Sequence, residues 1–418
     1  MSIARSYSRS KNLKNIWIFA RLIVTLQFNM TGIYIHIPFC ASRCIYCAFY
    51  STTSLDLRQR YVDAVCRELT LRGEKLEVRS ERNDLRAENI DTIYLGGGTP
   101  SQLTIEQLRQ IFEAIYNNKV SEDAEVTIEV NPDDVSVELA AALQQLPVNR
   151  VSMGAQTFDD ERLRFLHRRH TSAQVAEAVE RLRTAGIGNI SIDLMYGFPG
   201  ETLADWERDI DAALALNVEH LSAYCLSIEE GTPLHKMYSL TSPLSPLTSN
   251  FPPLTSEELD RQMYYTLVDR LENAGFEHYE ISNFARPGFR SRHNSSYWTG
   301  IPYLGIGAAA HSFDGHMRSW NVADIHQYIE GMEQGKRLFE SETIEGDTYY
   351  NDRVTVAMRT REGLDLSQLS ERHRDYCLKN ARRFVDDGLV RFNGSNLVFT
   401  RKGLFVSDMI LAELMIQE

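Results

Sequence analysis

The sequence predicts an α/β fold: an open (βα)6 partial barrel followed by a small C-terminal helical, winged-helix-like domain. Three observations carry this expectation. Short β-rich runs alternate with amphipathic helical runs from residue 33 to residue 227, the pattern of a parallel sheet with crossover helices. Glycine or polar residues stand at successive strand ends, where barrels of this kind collect their chemistry. After Gly335 the texture changes to helices plus one hairpin.

Residues 33–37 form the first strand and run through Pro38-Phe39 into a cysteine-rich loop. Residues 61–71 read as a helix with Val62, Val65 and Leu69 on one face. Residues 79–89 are charged and patternless, hence a loop. The second strand, 90–95, ends in Gly96-Gly97-Gly98-Thr99-Pro100. Leu108, Ile111, Phe112 and Ile115 recur at helical spacing. A third strand, 126–130, ends near Glu129, and a fourth, 150–153, is followed by Gln156. Val175, Ala178, Val179 and Leu182 mark a helix stopped by Gly186. Residues 190–194 carry Asp193 near the strand end, with Gly197 and Gly200 beyond, and 221–227 form a sixth strand. The cysteine loop also follows a strand, so it shares the carboxyl-end face.

Residues 238–253 are rich in Ser, Thr and Pro and read as a surface insertion. A helix over 256–275 places Leu259, Met263, Leu267 and Leu271 four apart. Cys377, Ala381, Phe384 and Val385 line a helix stopped at Gly388. A hairpin turning at Asn393-Gly394 and a last helix after Gly403 complete the chain. The expected division is a leader at 1–29, a barrel core at 30–236, the insertion at 237–255, a barrel-completing segment at 256–339 and the C-terminal domain at 340–418.

Composition narrows the function. The 418 residues are 43% hydrophobic and 24% charged, ordinary for a globular chain. A net charge of −13 disfavours non-specific nucleic-acid binding. The first 29 residues differ: Arg5, Arg9, Lys11, Lys14 and Arg21 stand there without an acidic residue, and removing them would deepen the net charge by five. A transit peptide fits this leader; a start assigned upstream of a true first residue at Met30 fits better, because a strand follows Met30 at once. The apolar run 16–28 is short and holds Arg21, so it does not span a membrane. A DNA-binding role for the winged-helix-like tail is weak, since acidic residues flank Lys379, Arg382 and Arg383.

Of six cysteines, three crowd into eight residues as C-x3-C-x2-C, namely Cys40, Cys44 and Cys47. Clustered thiols in a chain this size read as soft metal ligands in a reducing, cytoplasmic compartment. Three thiolates on a tight loop can hold three irons of a 4Fe–4S cluster and leave the fourth open. A closed zinc site would want a fourth ligand; His36 is near in sequence, but it sits within the first strand, and nothing completes the set. A disulfide plus a free thiol is the weaker alternative.

The spacing, Tyr46 before the last cysteine and the Gly96–Gly98 strand end resemble the radical S-adenosylmethionine (SAM) superfamily. From Gly32 to about residue 310 the chain resembles the oxygen-independent coproporphyrinogen III oxidase family, including its heme-chaperone branch. The matching motifs are 34–47, 96–100, 129–132, Gln156, Arg168 and 193–200. The resemblance implies a radical SAM partial TIM barrel. It implies a 4Fe–4S cluster whose open iron takes the amino and carboxylate groups of SAM. Cofactor contacts are implied for Tyr34, Tyr46, Gly97, Gly98, Thr99, Glu129, Gln156, Arg168 and Asp193. Each also has a plain structural explanation as a turn, a cap or a solvated face. No catalytic residue is assigned.

Two functions stay open: oxidative decarboxylation of coproporphyrinogen III, and heme delivery to respiratory proteins. The oxidase branch carries a further cysteine two positions after the third ligand; here Phe49 stands there, as in the chaperone branch. His293-Asn294-Ser295-Ser296-Tyr297-Trp298 also fits that branch. Heme, His293 as its ligand, and Tyr297 and Trp298 as walls are therefore the expected third cofactor and site. A structural turn with a hydrogen-bonded His293 is the alternative, and His311 competes as ligand. Implied partners are heme-accepting respiratory proteins, an electron donor, and a second copy in a homodimer. Membrane contact would be peripheral, through the acceptors.

Overall fold

The computed structural model describes residues 31–78, 89–239 and 252–417. The leader, the loop at 79–88 and most of the Ser/Thr/Pro-rich insertion lie outside the described residues. Six parallel strands follow chain order: β1 (Thr31–Ile37), β2 (Ile90–Gly97), β3 (Val120–Val130), β4 (Arg150–Gln156), β5 (Asn189–Tyr196) and β6 (His220–Cys225). Period-two alternation sorts each strand's side chains to opposite faces. Ile33, Ile35 and Ile37 of β1 join the main hydrophobic cluster, whereas Tyr34 and His36 face the other way and bond each other. Helices between strands pack on the outer face; Leu108, Ile111, Phe112 and Ile115 of the helix Ile105–Tyr116 are all buried there. Its start is a Thr104–Gln107 capping box.

The expected strands are present, with moved ends. β3 starts six residues early, at Val120, because its first half pairs with β2 through an irregular register while Glu122 and Asp123 stay in solvent. Such a polar half shows no hydrophobic alternation. The helix expected over 61–71 spans Arg58–Val78.

The segment expected to complete the barrel extends both of its edges. On one side β9 (Tyr303–Ile306) runs parallel to β1, and β10 (His311–Phe313), β11 (Met317–Asn321) and β12 (Phe339–Thr343) follow antiparallel. On the other, β8 (Asn283–Ala285) pairs with β6, and β7 (Glu277–Glu280) pairs with β8. The resulting twelve-stranded sheet stays open, its order ending at β12 and β7.

A buried carboxylate fastens the first extension. Glu68 accepts from the Gly307 N–H at 2.9 Å, Asn321 at 2.9 Å and the Tyr328 hydroxyl at 2.8 Å, and pairs with Arg72 at 3.3 Å. A buried charge persists only when satisfied in this way.

The C-terminal region has its own apolar cluster, with Tyr350, Cys377, Ala381, Phe384, Leu397 and Ile410. Its helix Glu371–Asp386 is followed by the hairpin Val390–Asn393 and Asn396–Phe399, against which Leu364–Asp365 adds a third strand. It docks on β7: Arg361 N–H donates to Tyr279 O at 3.0 Å, and Arg359 pairs with buried Glu280 at 2.8 Å. Among the described residues, no helix is long and apolar enough to cross a membrane.

Candidate functional site

The cysteine loop is held at its apolar residues and open at its thiols. Phe39 is buried beside Tyr61, and the Cys40 N–H donates to Thr52 O at 2.9 Å. Mid-loop, Ile45 is buried, donates to Leu166 O at 3.3 Å and accepts from Leu234 N–H at 2.9 Å. Cys40, Cys44 and Cys47 remain partly accessible and line a cavity of about 420 Å³ inside the barrel mouth. Burial pushes the Cys40 and Cys47 thiols up from their ordinary range, so loading a metal there releases protons. Thr99 Oγ1 reaches Cys40 Sγ at 3.5 Å and Arg168 Nη1 reaches Cys44 Sγ at 3.6 Å. All six cysteines are free thiols.

Eight of the nine residues matched to cofactor contacts line this cavity: Tyr46, Gly97, Gly98, Thr99, Glu129, Gln156, Arg168 and Asp193. The ninth, Tyr34, does not; its hydroxyl bonds His36 Nδ1 at 3.0 Å and its ring faces a second cavity. Glu129 accepts from the Tyr94 hydroxyl at 2.8 Å and from the Gly97 N–H at 3.0 Å. Gly97 sits at φ +110°, a backbone state that glycine alone adopts readily. Desolvation inside the barrel pushes the Glu129 carboxyl up to about 7, with the charge of Asp193 adding to it against the Tyr94 bond. Desolvation likewise raises Asp193 to about 6, opposed by its bond to Ser222. Gln156 holds φ +69° where the register of β4 slips against β5. Strain of this kind gathers at functional sites. Arg168 donates to Asn131 Oδ1 at 2.8 Å and Gly154 O at 2.6 Å.

Sequence patterns pass over Arg150. It opens the fourth strand, where no sequence pattern marks it, yet it is 1% exposed and lines the cavity. Its Nε and Nη1, and the Nε of Arg168, are buried without hydrogen-bond partners among the described residues. Buried donors lacking acceptors favour a ligand that brings carboxylate or hydroxyl oxygens. Glu129 and Asp193 supply opposite charge across the same space. The interior therefore fits a zwitterionic ligand that also carries a cationic centre. Among the described residues, no three His, Cys, Asp or Glu side chains converge on a single-ion site.

The second cavity, about 1170 Å³, lies between β9–β11 and the helix Gly346–Ala357. Tyr297, Trp298, Tyr303 and Phe313 form much of its wall. Phe49, 71% exposed, borders both cavities. His293 must be reassigned. It is fully buried, with Nδ1 on Thr92 Oγ1 at 2.8 Å and Nε2 on the Tyr297 hydroxyl at 2.8 Å, and it stacks on Tyr94. The helix Arg292–Thr299 starts against Glu125, which accepts the His293 N–H, and this turns the ring inward. His293 positions Tyr297 and has no free nitrogen for iron, while Tyr297 and Trp298 do face the cavity.

Residues 34–213 match the model of the radical SAM superfamily, and residues 344–406 match that of the HemN C-terminal domain. The heme chaperone HemW of Mycobacterium tuberculosis is 33% identical over 92% of this chain and 94% of its own length. The heme chaperone HemW of Bacillus subtilis is 34% identical over 82% of this chain and 87% of its own length. The solved structure of coproporphyrinogen III oxidase (HemN) from Escherichia coli, a radical SAM enzyme, superimposes with a TM-score of 0.76. It covers 96% of this chain and 93% of that one at 22% identity, which shows a common fold. The chain belongs to the radical SAM superfamily and, within it, to the HemW heme-chaperone family.

Proposed function

We propose that this protein is a radical SAM heme chaperone, binding a 4Fe–4S cluster, SAM and heme, and passing heme to acceptor proteins. One observation carries the proposal: a polar cavity under three cysteines adjoins a larger aromatic cavity, and Phe49 forms a wall of both. Small-molecule sites run from about 300 to about 1,000 Å³, so the second cavity has room for a large planar ligand. Cys40, Cys44 and Cys47 hold the cluster, and Arg168 and Thr99 donate toward two of its sulfur ligands. When bound, the cluster supplies an open iron for the amino and carboxylate groups of SAM, together with one electron. Arg150 and Arg168 face the carboxylate, while Glu129 and Asp193 hold ribose hydroxyls or oppose the sulfonium.

Coproporphyrinogen oxidation is the competing activity, and one anaerobic experiment separates them. The reconstituted protein is expected to bind heme at one per chain and to leave coproporphyrinogen III unchanged. Vinyl-group formation at a catalytic rate would overturn the chaperone proposal, and so would failure to bind heme. Heme-accepting respiratory proteins, an electron donor and a second copy of the chain remain its proposed partners.

SAM affinity is expected to depend on pH. Glu129 and Asp193 lose their protons near pH 7 and pH 6, so affinity for a cationic nucleoside rises across that window. For the ligand-free fold the sign reverses. Native carboxyls with raised pKa bind protons more tightly than the unfolded chain, so stability falls as pH rises from the ordinary carboxylate range to about 7. Calorimetric titration with SAM checks the first effect, and Glu129→Gln should flatten its upper part. An affinity constant across the window would refute the charge assignment.

A further inference from the structure

We propose that heme sits in the second cavity with His311 as its iron ligand and Arg353 as the anchor for its carboxylates. This rests on the heme-binding proposal above and names the groups that would carry it.

Heme offers a rigid apolar plate, a metal that takes a neutral imidazole, and two carboxylates at one edge. The cavity supplies a counterpart for each. Three histidines line it: His36, His311 and His316. His36 has both ring nitrogens engaged, Nδ1 with Tyr34 at 3.0 Å and Nε2 with Tyr50 O at 3.0 Å. His316 is exposed on the turn between β10 and β11 and stacks on no aromatic ring among the described residues. His311 is the first residue of β10 and pairs with Trp320 of β11 across the sheet. Its ring stacks on that indole at 5.7 Å and 25°, and neither ring nitrogen has a hydrogen-bond partner among the described residues. A ligand histidine needs a fixed ring and a free nitrogen, and His311 alone of the three combines them. Desolvation, then the nearby charge of Arg318, lowers its pKa and keeps the ring neutral.

Two arginines line the cavity. Arg318 is neutralised by Glu342 at 3.0 Å and Asp352 at 2.6 Å. Arg353 donates once, to Thr299 O at 2.8 Å, and has no carboxylate within ion-pair distance among the described residues. Capping the helix Arg292–Thr299 therefore uses one of its five N–H donors. The remaining fork faces a cavity whose wall otherwise includes Asp314, Glu345 and Asp352. Arg353 is thus the cavity's cation without a carboxylate partner among the described residues, and an incoming carboxylate would pair with it beside Thr299.

The experiment titrates ferric heme, and heme dimethyl ester, into full-length protein reconstituted with its cluster. Cluster absorbance serves as the control for folding. His311→Ala is expected to shift the heme absorption band and weaken binding at least about tenfold, with added imidazole restoring the band. His316→Ala is expected to change neither. Arg353→Gln is expected to weaken heme about tenfold, as loss of a charged hydrogen bond does, and to leave the uncharged ester unaffected. An unshifted band in His311→Ala overturns the ligand assignment. Equal weakening of heme and ester in Arg353→Gln overturns the anchor. Wild-type protein that binds no heme overturns the chaperone proposal itself, so the two failures are distinct.

Discussion

Cys44→Ala is expected to abolish iron binding. Iron should fall from about four per chain to near zero, and the visible absorption of the cluster should vanish with it. Two thiolates cannot hold three irons, and the other described cysteines, Cys66, Cys225 and Cys377, do not line the cavity. Removing Cys44 Sγ also takes a contact from Arg168, a cation whose Nε is already unpartnered. The fold itself should survive, because the loop is held at Phe39 and Ile45 and not by its thiols. Cys66→Ala is the control. Cys66 lies on the helix Arg58–Val78, where its thiol contacts Gln110 O at 3.7 Å, outside the cavity. It should keep full iron. Metal analysis and electron paramagnetic resonance after anaerobic reconstitution decide the matter. Iron retained in Cys44→Ala, or stoichiometric zinc in the wild type, contradicts the cluster assignment.

What could be read from the sequence follows from what is local. The parallel strands announce themselves because apolar alternation and terminal glycines lie within a few residues of each other, as at 33–37 and 90–98. The cysteine spacing and the strand-end Glu129 and Asp193 are local in the same sense, and the structure brings them to one cavity. Arg150 is the opposite case. Its burial arises from neighbours on β3 and β5, far apart in the chain, and no nearby residue signals it. His293 shows the same limit: its motif is visible, but the direction of its ring is set by Glu125 and Thr92, more than 160 residues away. The β9–β12 extension escaped because its strands have three to five residues, and short strands carry little periodicity. Its attachment runs through Glu68, a charged residue that sequence alone assigns to solvent.

Gly98→Ala is expected to lower the melting temperature and strip most of the iron, although it adds a single methyl. The added Cβ would stand 2.7 Å from Pro38 C, 2.8 Å from Ile37 O and 2.9 Å from Phe39 O. These are backbone atoms, which cannot rotate aside as a side chain could. Gly98 N–H also donates to Ile37 O at 2.8 Å, the bond that joins the end of β2 to the end of β1. Relief therefore means separating the two strand ends at the point where the cysteine loop departs. Overpacking a tight contact costs about 1–3 kcal/mol, and Thr99, whose hydroxyl touches Cys40 Sγ, moves with the strand. Cluster occupancy should drop more than stability does, since three irons tolerate little displacement of one ligand. Gly188→Ala provides the comparison: its added Cβ meets nothing within 4 Å, so iron content and melting temperature should match the wild type. If Gly98→Ala keeps full iron and wild-type stability, the close approach of β1 and β2 does not set the geometry of the cysteine loop.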